Sequence, residues 1–163
     1  MKTQFNLPLL ALLAATAMGA SSCKKDKESN PAPAKTKTEL LAGKDWKLAA
    51  QTVTPGLTAD DGTVVTDLFP YLDECDKDDL MRYDANGTCL LSEGPTRCDP
   101  SNPQQYTGTW SFDSNETILK TNVQGLGSSS FNIIELSDNT LKVSGIRTLT
   151  DGDHKFTYTY SKK

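Results

Sequence analysis

This 163-residue chain has a single histidine, His154, and only four cysteines: Cys23, Cys75, Cys89 and Cys98. No two cysteines stand at Cys-x-x-Cys spacing, which argues against a zinc site. Asp60, Asp61, Asp67, Asp73, Glu74, Asp76, Asp78 and Asp79 concentrate acid in one stretch. They never form the spaced Asp-x-Asp-x-Asp-Gly loop of a calcium site, so they read as a solvated acidic face. Neither a Gly-x-Ser-x-Gly elbow nor a phosphate-binding loop occurs. His154 follows Asp151-Gly-Asp153 and is expected to be an exposed turn histidine. No catalytic residue, metal or cofactor is therefore expected, and the chain does not read as an enzyme. The formal net charge of −4 argues against nucleic acid as a partner. No apolar run approaches the roughly 20 residues that a membrane-spanning helix needs.

What is present begins at the N-terminus. Lys2 precedes the uncharged run Leu7-Pro-Leu-Leu-Ala-Leu-Leu-Ala-Ala15, and small residues then lead to Gly19-Ala-Ser-Ser-Cys23. This is the layout of a bacterial secretory signal. A cysteine directly after it points to acylation of Cys23 as the new N-terminus, with 1–22 removed. Ala20 stands where such signals usually carry leucine. An ordinary secretory signal cut after Ala17 or Ala20 is the alternative. Residues 23–38 are polar, lysine-rich and proline-bearing, a composition that cannot bury enough apolar surface to fold. They read as a tether holding a domain, residues 39–163, off a membrane. The expected location is the bacterial cell envelope, as an outer-membrane lipoprotein facing the periplasm or the cell surface.

The folded part, about 125 residues, is one ordinary domain. Thr36 and Glu39 have capping-box spacing, and Gly43 suits a helix exit, so one short helix opens the domain. Strands are then expected over 45–53, 79–84, 88–93, 106–112, 116–121, 130–137, 140–148 and 154–161. In the first, Trp46, Leu48 and Ala50 share a face. Residues 52–73 read as irregular, with Pro55-Gly56, Asp61-Gly62 and Pro70 as breakers. Ala85-Asn-Gly87, Asp113-Ser-Asn115, Ser137-Asp-Asn139 and Asp151-Gly-Asp153 make short links, which imply antiparallel neighbours. Tyr106, Gly108, Trp110 and Phe112 alternate with Thr107, Thr109 and Ser111. Phe156, Tyr158 and Tyr160 alternate with Thr157, Thr159 and Ser161. One apolar and one hydroxyl face per strand mark a sheet wrapped on a core. The fold class is all-β: an eight-stranded antiparallel up-and-down barrel, closed so that no edge is left exposed.

Asp84-Ala-Asn-Gly-Thr88 fixes a register. A two-residue Asn86-Gly87 turn would set Tyr83 opposite Leu90. A type I turn with Gly87 as a left-handed bulge would set Tyr83 opposite Cys89 and Met81 opposite Leu91. The second register gathers four apolar residues on one face and is preferred. It makes Cys89 a buried apolar residue. Either register brings Cys75 and Cys98 together at the open end of the hairpin, where an exported chain forms a disulfide.

Leu41-Ala-Gly-Lys-Asp-Trp46-Lys-Leu48, Cys75-Asp-Lys-Asp-Asp79 through Thr88, Cys98-Asp-Pro, Thr107-Gly-Thr-Trp110 and Ile134-Glu-Leu-Ser-Asp-Asn-Thr-Leu141 occur in that order. The chain resembles the lipocalin-like domain lipoproteins of Bacteroidetes-type bacteria. That resemblance implies a small lipocalin-like barrel behind a lipoprotein signal. Such a barrel is either filled by its side chains or holds one small ligand. Residues expected to line a cavity are Trp46, Leu48, Met81, Tyr83, Leu91, Trp110, Phe112, Leu141, Val143 and Tyr158. The tryptophans also fit as plugs at a barrel end. Two functions are therefore expected of a membrane-anchored chain. One is binding of a small apolar or amphipathic molecule. The other is a filled-core module that docks to an envelope protein complex through loops 54–73 and 94–105.

Overall fold

The N-terminal cap forms as its spacing dictates. Thr36 Oγ1 accepts from the Glu39 N–H at 3.2 Å, and the Glu39 carboxylate accepts from the Thr36 N–H at 2.7 Å. This reciprocal box starts α1 (Lys37–Leu41), which opens inside the segment read as tether. The structure, a computed structural model, describes residues 33–163. The signal segment, Cys23 and most of the tether lie outside the described residues.

Gly43, at φ +73°, turns the chain out of α1 into β1 (Lys44–Thr58). β1 runs through Pro55-Gly56, which the sequence marked as a breaker. A strand not expected from the sequence, β2 (Val64–Asp67), then folds back, with Thr58 opposite Val64 and Thr52 opposite Asp67. Asp61-Gly62 is the hairpin turn between them. The Gly62 N–H donates to Ala59 O at 2.9 Å, and the Thr63 N–H donates to Asp61 Oδ1 at 2.9 Å. A 3-10 turn (Phe69–Tyr71) and α2 (Glu74–Lys77) complete the crossing.

The remaining strands are β3 (Leu80–Tyr83), β4 (Thr88–Ser92), β5 (Gln105–Asp113), β6 (Ile118–Val123), β7 (Gly127–Leu136), β8 (Thr140–Leu149) and β9 (Gly152–Lys162). Each pairs antiparallel with the next, β1 pairs with β3, and β9 pairs back onto β1. Eight strands thus close an up-and-down barrel, and β2 extends one half of β1 alongside it. β7 and β8 pair with each other only over Asn132–Leu136 and Leu141–Ser144, so these two strands splay apart away from the α1 end.

β1 corrects one face assignment. Leu48 opposes Tyr160, yet Ala50 opposes Thr159, so the register shifts by one residue between them. This bulge turns Ala50 away and brings Gln51 and Val53 onto the face of Tyr158 and Phe156. Val53 is wholly buried as a result. The β3–β4 hairpin takes the bulged register: Tyr83 opposes Cys89, Met81 opposes Leu91, and Gly87 has φ +87°. Cys75 and Cys98 form the disulfide, Cα atoms 5.3 Å apart, and it ties α2 to the β4–β5 loop.

The core sits at the α1 end. Trp46 is wholly buried, and its Nε1–H donates to Leu41 O at 2.9 Å. The Trp110 Nε1–H donates to Asp84 O at 2.9 Å. The Trp110 ring meets Tyr83 and Phe112 edge to face, with centroids at 5.7 and 5.2 Å. Both indoles thus fill the barrel floor and have their polar edges satisfied by backbone carbonyls.

Candidate functional site

Above that floor the barrel is not filled. An interior cavity of about 160 Å³ lies between Met81 and Tyr83 of β3, Leu91 of β4, Leu119, Thr121 and Val123 of β6, Phe131 of β7, Val143 of β8 and Tyr160 of β9. Leu126, Gly127 and Ser129 line its outer end, where the β6–β7 turn leaves Leu126 58% exposed. Inward residues of six strands supply the wall, because their alternation points one residue in two to the barrel axis. A second concavity of about 350 Å³ adjoins it at Ser129 and Phe131 and reaches Arg147 and Tyr158. Phe131 and Tyr158 meet edge to face at 5.8 Å between the two spaces. The Arg147 guanidinium stacks 5.2 Å above the Phe156 ring.

Larger concavities lie on the outer wall. Thr109, Asn122 and Ser128 form one cross-strand row and Ser111, Lys120 and Ser130 the next, bordering an open groove of about 470 Å³. These short polar side chains are the hydroxyl face expected of a solvated sheet. Trp110 and Thr121 also border this groove, but it is more open than the interior cavity and is the weaker candidate despite its size.

Electrostatics inside the barrel follow from burial. Burial pushes the Tyr83 and Tyr160 phenols well above their ordinary range. Burial also raises the Cys89 thiol, the free cysteine among the described residues. Cys89 is therefore a small apolar wall residue and not a nucleophile.

Residues 41–143 match the profile of the lipocalin-like domain. The chain belongs to the lipocalin-like domain family. No curated protein matches it. Among solved structures, a lipocalin-like protein from Bacteroides uniformis is 14% identical, with a TM-score of 0.44; the match covers 76% of this chain and 99% of that one. Lobster apocrustacyanin A1 is 13% identical, with a TM-score of 0.43, over 75% of this chain and 60% of that one. Bovine odorant-binding protein, in a complex with undecanal, is 18% identical, with a TM-score of 0.40, over 80% of this chain and 76% of that one.

The lipocalin-like barrel sorts the residues expected to line a cavity. Met81, Tyr83, Leu91 and Val143 do line it. Trp46, Trp110, Phe112 and Leu141 belong to the packed core, Leu48 is half-buried beside the β1 bulge, and Tyr158 lines the adjoining mouth. Leu119, Thr121, Val123, Ser129, Phe131 and Tyr160 were not anticipated. The period-2 pattern Leu119, Thr121, Val123 continues past the expected strand end at 121, and β7 begins at Gly127, ahead of the expected 130. Gly125 and Gly127, at φ +82° and +88°, place the turn later.

His154 is also corrected. It lies in β9, is 1% exposed, and is not a turn residue. Its Nδ1 is 2.9 Å from Pro55 O and its Nε2 is 2.9 Å from Asp151 Oδ1. The Pro55 carbonyl, then Asp151, raises its pKa. It ties β9 to β1 near the barrel mouth. Asp79 is the other perturbed group. Burial first, then Glu93, Asp76 and Asp78, push its carboxyl up to about 7.

Proposed function

We propose that this lipocalin-like chain is an envelope lipoprotein, held at an outer membrane through acylated Cys23, whose barrel binds a small apolar or amphipathic molecule. The interior cavity carries the reading: about 160 Å³ of space walled by Met81, Leu91, Leu119, Val123, Phe131 and Val143. An unfilled apolar space inside a barrel forfeits packing, and an apolar occupant restores those contacts. The signal layout and the lysine-rich tether support the anchor.

Native mass spectrometry of the protein purified from its own envelope tests the binding reading. A retained small molecule is the expected result. A retained protein and no small molecule would move the function to the docking module. Two observations favour that second reading. The cavity is smaller than the roughly 300 Å³ at which ligand pockets usually begin. Val64 in β2 and Tyr71 in the 3-10 turn, both within the 54–73 segment expected to dock, are 63% and 73% exposed. The anchor is tested separately. Cys23→Ala should move the protein from the membrane fraction to the soluble one, and a variant that stays membrane-bound would sink lipidation.

A further inference from the structure

Tyr83 and Tyr160 place two phenol rings in the cavity wall. Tyr83 is 5% exposed, and Tyr160 is half-buried. Burial, not a hydrogen bond, dominates the raised pKa of each, and the two groups are close enough to raise Tyr83 further. Both therefore remain protonated donors at any physiological pH. Among the described residues neither hydroxyl has a hydrogen-bond partner, yet neither is sealed by protein. The fully covered, unpartnered side-chain oxygens are those of Asp78 and Asp79. Both residues line the cavity. An occupant that displaces water from these hydroxyls without accepting from them leaves them unpaired, which is costly, and an occupant with an acceptor avoids that cost.

The rest of the wall narrows the acceptor. Thr121 and Ser129, opposite each other on β6 and β7, are the other polar liners. No lysine, arginine or histidine lines the cavity. Arg147 belongs to the adjoining mouth. A carboxylate drawn into the cavity would shed its water and find no counter-charge. Size sets the other limit, since a dry cavity of about 150 Å³ holds one benzene.

We propose that the cavity selects a small neutral molecule of about six to eight heavy atoms carrying one carbonyl-type oxygen, which accepts hydrogen bonds from Tyr83 and Tyr160. A carboxylate of the same size is rejected. This inference rests on the ligand-binding reading above.

The test uses three probes of equal heavy-atom count: cyclohexanone, methylcyclohexane and cyclobutanecarboxylate. Each is titrated by NMR into the mature protein and into Tyr83→Phe and Tyr160→Phe. Cyclohexanone should weaken about five- to tenfold in at least one variant, the loss of one hydrogen bond. Methylcyclohexane should bind the two variants at least as tightly as the parent protein, and cyclobutanecarboxylate should not saturate. Cyclohexanone binding that ignores both substitutions, or a carboxylate that binds as well as the ketone, would overturn the inference while leaving the binding reading intact. If none of the probes binds in the cavity, both fall. Thermal melts of both variants keep the outcome readable, because removing an unpartnered hydroxyl should leave the fold at least as stable.

Discussion

Asp79 is where a single residue sets a condition on the fold. Its carboxyl is raised to about 7 by burial and by Glu93, Asp76 and Asp78, whereas an unfolded aspartate titrates near 4. The unfolded chain therefore releases this proton first as pH rises. Stability is full below about pH 4 and falls as pH climbs toward 7. Asp79→Asn should flatten that fall. Urea midpoints measured from pH 4.5 to 8 should diverge, the variant ending above the wild type. Parallel curves would show that another group controls the slope. His154, also raised, adds a later loss: its contribution is complete below about pH 6.5 and fades as pH rises through its folded value. That loss should persist in the Asp79 variant. Trp110 tests packing at the same scale. It is 8% exposed, hydrogen-bonded to Asp84 O and flanked by Tyr83 and Phe112. Trp110→Ala should cost about 3–5 kcal/mol in chemical denaturation. A loss under about 1 kcal/mol would remove the ring from the floor.

The β3–β4 hairpin and its disulfide are the element that the chain specifies most tightly. Asn86-Gly87 sets the bulge, the bulge sets the register, and the register points Tyr83, Cys89, Met81 and Leu91 inward. The Cys75–Cys98 bridge spans a sequence separation of 23, for which chain entropy gives a stabilisation of about 3 kcal/mol. Cys75→Ser should lower stability by about 2–4 kcal/mol, while Cys89→Val, which exchanges one small apolar side chain for another, should cost less. The reverse order, read from denaturant midpoints, would contradict the assignment of the three cysteines. The sequence made these features legible because each depends on nearby residues with one strong preference. The same holds for the capping box of α1. Features that depend on distant pairing were not legible. The bulge after Leu48 exists because β1 must pair with β9, β3 and β2 along one bent strand. β2 has only four residues and one half-buried side chain, Val65, so it carries almost no alternation of its own. Ser114, Asn115 and Glu116 all adopt positive φ, which delays β6 to Ile118 and carries it on to Val123. That shift brings Val123 into the cavity wall.

At the scale of the molecule, closure of eight strands gives the barrel one sealed end and one open end. α1, Trp46 and Trp110 fill the first, and Leu126, Ser129 and Arg147 stand at the second. The distinction between a filled barrel and a binding barrel rests on what occupies the space between them. Leu48, expected to line that space, lies outside it, so a blocking substitution belongs at Ser129, which borders both the cavity and its mouth. Ser129→Phe places a ring where an occupant would enter, without crowding the packed floor. The most direct measurement is an NMR titration of the mature protein with toluene, a probe near the size that such a cavity takes. Saturable binding at one site, shifts centred on Leu119, Val123 and Val143, and loss of both in Ser129→Phe with the fold retained are the predicted result. Shifts confined to the outer wall, binding that survives Ser129→Phe, or no saturation at all would contradict a ligand-binding barrel.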